Sequence, residues 1–293
     1  MKSKIIVVFC HSRAKLLDKC LKSLKDVSGL ESWKLIVIHQ NGNKDVDEVL
    51  NKYKGIIYAL VNVNPNFNFA LGNINFNRIL GTKIAFETFN AECMLGIEED
   101  NVVSNDCLIF IDYILNQYSK KKAFRGINLG SMEYGNEISG GSYSLLRYGL
   151  HGSAGLLTDK SWRYIKRKKL FDFDLNNPNT AWDSQIEFYL KSGFMVTPNL
   201  SKNLDLGNGG TFAPISKSDN YFVKIKKSWI QNSNYTRFGY HRKQINHGWR
   251  NDAIGYKKIH SFFYFFRKYG VFVYFSRLVG LNKVILRGIG HKF

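Results

Sequence analysis

Proline and cysteine are both scarce in this sequence. Four prolines and four cysteines occur among 293 residues. None of the cysteines, at positions 10, 20, 93 and 107, forms a Cys-x-x-Cys pair, so neither a zinc knuckle nor a thioredoxin motif is expected. Reduced thiols in a cytoplasmic protein are the simplest interpretation. Hydrophobic residues make up 44% of the chain, which suffices for a packed core and argues against general disorder.

Long apolar runs and phosphate-binding glycine motifs are missing as well. The first apolar run covers residues 5–10 and is too short for a signal peptide or a membrane span. The sequence contains neither GxxxxGK[ST] nor GxGxxG, so P-loop proteins, kinases and dinucleotide dehydrogenases are not favoured. We therefore expect a cytoplasmic protein of another class.

Acidic residues are few, at 23 against 42 lysines and arginines, and the net charge is +19. Such a balance favours anionic partners, namely nucleic acid, anionic lipid or phosphorylated substrates. Aromatic and basic residues alternate over 260–277, a pattern that suits a membrane interface. A helix packed on the core is the alternative. Single-stranded nucleic acid is not expected, because it leaves the acidic motif described below unexplained.

Apolar runs and helical patterns alternate along the first 118 residues. The patterns predict strands over 4–10, 34–39, 56–63 and 92–97, with helices over 14–27, 45–53, 73–90 and 106–118. This alternation predicts an α/β fold with a mainly parallel, doubly wound sheet. Residues 123–160 are rich in glycine, serine and tyrosine, which favours short antiparallel strands and loops. A helix over 184–192 and a strand with a glycine-rich loop over 193–212 follow.

Three adjacent carboxylates, Glu98, Glu99 and Asp100, directly follow the fourth predicted strand. Ligands of doubly wound sheets bind at the carboxyl ends of the strands. Mn²⁺ and Mg²⁺ prefer oxygen ligands and commonly take one or two carboxylates together with substrate phosphates. An isolated acidic triplet is more often a solvated turn, but this position favours a site. We predict that Asp100 binds the metal and that the two glutamates contact the nucleotide or support the site.

Two further motifs lie downstream. Asp183 follows Trp182, and burial beside an indole raises the pKa of a carboxyl group, so Asp183 is a candidate general base. The alternative is that Asp183 or Thr180 caps the helix predicted over 184–192. In the glycine-rich stretch 198–210, Lys202 is a candidate phosphate contact, with a plain surface loop as the alternative.

Taken in order, these motifs resemble the N-acetylglucosaminyltransferase I family of animals, inverting glycosyltransferases of the GT-A fold. The resemblance covers residues 4–212 and rests on the stretches 10–13, 97–106, 148–157, 182–183 and 198–210. It implies a Rossmann-like sheet with helices on both faces, Asp183 as catalytic base and a metal at Asp100. It also implies nucleotide contacts by Arg13 and Lys202, to which we add Gln40 at the end of the second predicted strand.

The chain departs from that family at two of these positions. Glu99 stands where the family has its central aspartate, and Lys202 where arginine is usual. We also expect no counterpart of the family's membrane anchor. We therefore expect a bacterial-type transferase of surface polysaccharide that uses a UDP-sugar and a saccharide or lipid-linked acceptor, on the inner face of the membrane.

The predicted organisation is a catalytic domain over 1–215 and a basic, aromatic, helical extension over 216–293. Within the domain we expect residues 1–118 to bind the nucleotide sugar and 119–215 to bind the acceptor. Two other classes stay open. One is a non-catalytic carbohydrate- or membrane-binding protein on the same scaffold. The other is a nucleotidyltransferase, which usually needs a glycine- and arginine- or lysine-rich first loop, where this chain has only Ser12 and Arg13.

Overall fold

A computed structural model describes residues 2–40, 42–130, 143–146, 154–198 and 201–207. The extension predicted over 216–293 and the boundary near residue 215 lie outside these residues, as does most of the stretch 148–157. Within the described ranges no helix is long and apolar enough to cross a bilayer.

The described residues form ten strands and six α-helices. The strands are β1 (Ser3–Cys10), β2 (Trp33–Gln40), β3 (Ile57–Val63), β4 (Ala91–Glu98), β5 (Asn101–Val103), β6 (Phe124–Asn128), β7 (Tyr143–Leu146), β8 (Ala154–Thr158), β9 (Phe194–Pro198) and β10 (Asn203–Asp205). The helices are α1 (Ala14–Asp26), α2 (Lys44–Lys52), α3 (Ala70–Lys83), α4 (Cys107–Tyr118), α5 (Asp159–Arg167) and α6 (Trp182–Lys191).

Eight of the strands form one sheet in the order β3-β2-β1-β4-β8-β6-β9-β7. The first four are parallel to one another. β8 runs antiparallel to β4 and β6, β9 is parallel to β6, and β7 is antiparallel to β9. β5 and β10 form a separate antiparallel ribbon. The predicted α/β fold with a mostly parallel central sheet is confirmed.

Helices cover both faces of the sheet because successive strand residues point to opposite sides. In β1, Ile6 and Val8 pack with α1, α2 and α4, whereas Ile5 and Val7 pack with α3, α5 and α6. All four side chains are fully buried. The four cysteines are also buried and free, and burial raises the pKa of each thiol, so they remain protonated.

The structure corrects three parts of the predicted chain path. The helix predicted over 73–90 starts at Ala70 and ends at Lys83, where a π-helical turn (Ile84–Thr88) takes over. The strand predicted over 193–212 is divided between β9 in the main sheet and β10 in the ribbon. Helix α5 was not predicted. Thr158 caps it by accepting a hydrogen bond from the Ser161 amide, and it buries Trp162 and Ile165.

Candidate active site

The acidic triplet lies at the carboxyl end of β4, beside the end of β1. Glu98 is the last residue of β4 and pairs in register with Phe9 of β1. Glu99 and Asp100 form the turn that leads into β5. The two strands are parallel, so the loop that follows β1 reaches the same edge of the sheet as the triplet.

Glu99 faces this loop and holds it. Its side chain is 3% exposed. One carboxylate oxygen accepts a hydrogen bond from the His11 backbone amide at 2.7 Å, and the other from Arg13 Nε at 2.6 Å. Both oxygens are therefore occupied within the protein. Glu99 therefore holds the loop and Arg13 in place.

Arg13 connects Glu99 to Asp100. Its Nη1 lies 2.7 Å from Asp100 Oδ2, and 41% of its side chain is exposed, against 8% for Asp100. Burial disfavours the charged guanidinium, but the hydrogen bonds and charges of Glu99 and Asp100 outweigh this effect and raise the pKa of Arg13. Arg13 thus presents a fixed positive charge at the carboxyl ends of the strands, where we predicted a nucleotide contact.

A second carboxylate, Asp205, lies near Asp100. Asp205 ends β10 and pairs in register with Asn101 of β5. A Cβ atom placed on Gly207 would lie 2.3 Å from Asp100 Oδ2 and 3.0 Å from Asp205 Oδ1. Both carboxylates therefore pack closely against residue 207, which leaves no room for a side chain there.

Two neighbouring carboxylates suit a hard divalent cation. Mg²⁺ commonly binds through one or two carboxylates and completes its coordination with water and substrate phosphates. No group of three or more His, Cys, Asp or Glu able to hold a metal occurs among the described residues. A cation at Asp100 would thus take further ligands from a bound diphosphate, and the residues present fit that arrangement.

Glu98, the first member of the triplet, is paired with Arg78 of α3. Arg78 Nη2 lies 2.6 Å from Glu98 Oε1. The guanidinium carbon of Arg78 stands 4.2 Å from the centre of the Phe9 ring and 5.1 Å from that of Trp182. Gly96 leaves the room for it, because a Cβ there would lie 2.8 Å from Arg78 Nη1. Arg78 therefore joins the triplet to the segment that carries Asp183.

Asp183 lies in the first turn of α6, whose N-cap is Ala181 and has no side-chain cap. The helix already begins at Trp182, so the capping alternative for Asp183 and Thr180 is wrong. Asn75 of α3 fixes this end of the helix: its Oδ1 accepts from the Trp182 amide at 3.0 Å, and its Nδ2 donates to the Thr180 carbonyl at 2.7 Å.

The carboxyl group of Asp183 is half-buried. Burial raises its pKa, and this effect exceeds the opposing effects of the Ser184 amide, which donates to its Oδ1 at 2.8 Å, and of the positive charge of Arg78. A raised pKa makes a carboxylate a better proton acceptor, and active-site bases are tuned in this way.

The other two predicted nucleotide contacts are Gln40 and Lys202. Gln40 ends β2, and its buried Oε1 has no hydrogen-bond partner within the described part of the chain. Lys202 is buried, and its Nζ lies 2.5 Å from Asp106 Oδ2. A phosphate contact by Lys202 would require that buried pair to open, so we do not include Lys202 in the site.

Sequence reasoning missed Asp205, Arg78 and Asn75. Asp205 was hidden in a stretch interpreted as a glycine-rich loop. Arg78 and Asn75 carried a usable signal, since α3 places asparagine and arginine at positions where a sheet-packing helix normally has apolar residues. Polar residues on the buried face of a helix indicate partners that lie elsewhere in the fold.

Comparisons with known proteins identify the fold. No family model and no curated protein matches the sequence. The crystal structure of S. aureus TarS 1-349 matches with a TM-score of 0.50 and 10% identity, over 80% of this chain and 73% of that one. The fold is GT-A. The structure of S. aureus TarS 1-349 in complex with UDP matches with a TM-score of 0.49 and 14% identity, over 80% of this chain and 67% of that one.

The first of these matches supports a glycosyltransferase fold and not membership of the N-acetylglucosaminyltransferase I family. At 10% identity the likeness extends to the fold and no further. The chemistry of this chain therefore has to be argued from its own residues.

Proposed function

We propose that this protein is a metal-dependent, inverting glycosyltransferase that moves a sugar from a nucleotide diphosphate, UDP by preference, to a saccharide or lipid-linked acceptor. The observation that carries the proposal is the set of contacts at the carboxyl ends of the strands in a GT-A fold. Arg13 and Asp100 lie in direct contact there, and Arg78 links Glu98 to the segment of Asp183.

Transfer requires that negative charge be stabilised on the departing diphosphate. The bond between the anomeric carbon and the phosphate oxygen breaks, and its electron pair leaves with the nucleotide. A divalent cation bound at Asp100, with Asp205 nearby, would act as a Lewis acid on that diphosphate. Arg13 supplies a fixed positive charge at the same place, and Glu99 holds it there so that little reorganisation is needed.

The acceptor hydroxyl attacks the anomeric carbon as the diphosphate leaves, and its proton passes to Asp183. The half-buried carboxylate suits this role because its pKa is raised above the usual value of an aspartate. Arg78 orients the region by its contacts with Trp182 and Glu98. A single displacement of this kind inverts the configuration at the anomeric carbon.

The proposal is tested by donor binding and product analysis in Asp100→Asn. UDP-sugars are titrated calorimetrically with and without Mn²⁺, and the product of a successful transfer is examined by NMR. We expect Asp100→Asn to weaken Mn²⁺-dependent donor binding at least about tenfold. The control is Asp26→Asn, which removes an equal charge from an exposed position at the end of α1 and should bind normally.

Equal donor binding by Asp100→Asn and the control would contradict the metal assignment, and a product with retained configuration would contradict the single displacement. A non-catalytic binding protein on the same scaffold is the alternative. The pairing of Arg13 with Asp100 favours it, since Asp100 Oδ2 already has a cationic partner. Donor binding without hydrolysis or transfer to any acceptor would support this alternative.

A further inference from the structure

A basic cleft of about 760 Å³ opens beside α5. Its lining includes six cationic side chains and no carboxylate. We use the name basic cleft for the recess lined by Lys122, Arg125, Lys160, Arg163, Tyr164, Lys166, Arg167, Tyr189 and Ser192. None of these residues belongs to the candidate active site.

The basic cleft lies at the opposite end of the sheet from the acidic triplet. Arg125 is at the amino end of β6, and Ser192 lies two residues before the first residue of β9. Thr158, which precedes α5, pairs with Cys93 at the amino end of β4, whereas Glu98 is at its carboxyl end. A ligand in this cleft would therefore bind away from Asp100.

Most of the positive charge in the cleft has no acidic partner. Arg163 lies 3.4 Å from Asp159, and Lys166 lies 2.7 Å from Glu87. Among the described residues no carboxylate pairs with the other four cations, which are Lys122, Arg125, Lys160 and Arg167. Cations held this close together repel one another, and an anionic ligand would relieve that repulsion.

Two of these cations are held by neutral groups instead. Lys160 Nζ donates to the Lys121 carbonyl at 2.7 Å, and Arg125 Nη1 donates to the Lys122 carbonyl at the same distance. Burial, followed by the charge of Arg125, lowers the pKa of Lys160. The fold thus holds positive charges close together, although separating them would lower their mutual repulsion.

The aromatic rings of the cleft are already covered. Tyr164 and Tyr189 stack on each other with centroids 4.1 Å apart. Arg125 stands 4.8 Å from the Tyr189 ring, and Arg167 stands 5.5 Å from the Tyr164 ring. Base recognition in single strands needs free aromatic faces. The cleft is therefore built to recognise charge rather than bases.

We propose that the basic cleft binds a phosphate-bearing polymer through its phosphate groups. The recessed shape and the spread of cations around it favour a chain with several negative charges over a single ion. A lipid surface is less suitable, since membrane-binding surfaces combine basic residues with exposed apolar ones, and the lining contains no aliphatic residue, phenylalanine or tryptophan. The proposal does not depend on sugar transfer by the other end of the sheet.

The test is the affinity of the full-length protein for inorganic polyphosphate, measured by calorimetry over a range of salt concentrations. The cleft variant combines Lys122→Gln, Lys160→Gln and Arg167→Gln, three cations without acidic partners among the described residues. The control combines Lys19→Gln, Lys22→Gln and Lys25→Gln, exposed residues of α1 that change the net charge equally. Thermal unfolding of each variant checks that it folds, and the single change Lys122→Glu serves if the triple variant does not.

We expect the cleft variant to bind polyphosphate about 10- to 100-fold more weakly and with a smaller salt dependence, and the control to bind normally. Equal losses in both variants, or none, would overturn the proposal. So would inorganic phosphate competing as well as the polymer at equal phosphate concentration. Tighter cleft-dependent binding to phosphatidylglycerol vesicles, or to single-stranded DNA with the same number of phosphates, would assign the cleft to a membrane or to bases.

Discussion

Helices α1 and α3 cover opposite faces of the same sheet with very different residues. The buried positions of α1 are Leu17, Cys20, Leu21 and Leu24. Those of α3 are Gly72, Asn75, Asn77, Arg78, Ile79, Gly81 and Thr82. An apolar face contributes to the free energy of folding, whereas a polar face has to be satisfied residue by residue. The difference indicates that α1 stabilises the fold and that α3 positions the candidate active site.

The contacts of α3 support this division. Asn75 uses both ends of its amide on the start of α6, and Arg78 pairs with Glu98. Thr82 Oγ1 donates to the Arg78 carbonyl at 2.7 Å. Gly81 lets the helix approach β1, because a Cβ there would lie 2.7 Å from the Phe9 ring. The polar residues of α3 thus form hydrogen bonds and an ion pair with particular neighbours, which the apolar face of α1 could not form.

The largest effect is expected at Asp183, which α3 holds in place. Asp183→Asn keeps the hydrogen bond from the Ser184 amide but cannot accept a proton. Turnover should fall about 10²- to 10⁴-fold with donor affinity nearly unchanged. The control is Asp172→Asn, an exposed carboxyl group on the chain before α6. If Asp183→Asn were fully active, the hypothesis that the polar face of α3 positions a catalytic base would be wrong.

The pH dependence of stability and of turnover gives a second test of the role of Asp183. The pKa of Asp183 is higher in the folded state than in the unfolded state, so its contribution to stability is complete at low pH and is lost as pH rises through the folded pKa. Asp183→Asn should therefore be at least as stable as the parent at neutral pH. In the parent, turnover should rise with pH through the pKa of Asp183. A marked drop in the melting temperature of the variant would show that the carboxylate serves the fold.

On α1 we expect an effect of similar size on stability and none on turnover. Leu21→Ala removes a fully buried side chain and should lower the free energy of unfolding by about 2–5 kcal/mol. Turnover per folded molecule should stay unchanged, because the change removes only apolar contacts of α1. Denaturant unfolding together with activity measured well below the transition tests this. A catalytic defect of Leu21→Ala as large as that of an α3 variant would contradict the proposal that α1 serves stability and α3 serves the site.

The smallest effect is expected at Arg78. Arg78→Met keeps an unbranched side chain but removes the pairing with Glu98 and the positive charge near Asp183. We expect turnover to fall about 10- to 100-fold through misplacement of the reacting groups. The pH at which turnover is half-maximal should move up, since the charge of Arg78 lowers the pKa of Asp183. Lys83→Met, at an exposed position of the same helix, is the control. An unshifted pH profile would leave Arg78 a purely structural role.

The two helices also show what a sequence reveals. The apolar spacing of α1 predicted its bounds to within one residue, because burial alone determines that pattern. The start of α3 was misplaced by three residues, since its buried face is polar and gives no apolar period. Likewise, the position of the triplet after β4 followed from strand alternation. The polar face of α3 signals that Arg78 has a partner, but the identity of that partner, like the place of Asp205 near Asp100, depends on tertiary packing.

The missing side chain at Gly207 offers a way to inactivate the candidate site without changing any charge. A methyl group at residue 207 would come too close to the carboxylates of Asp100 and Asp205, so an alanine there would displace them. Every ionisable group, and the net charge of +19, would be kept. A strongly basic protein attracts many anions regardless of its chemistry. A substitution that keeps the net charge therefore separates an effect on the candidate site from an effect on nonspecific anion binding.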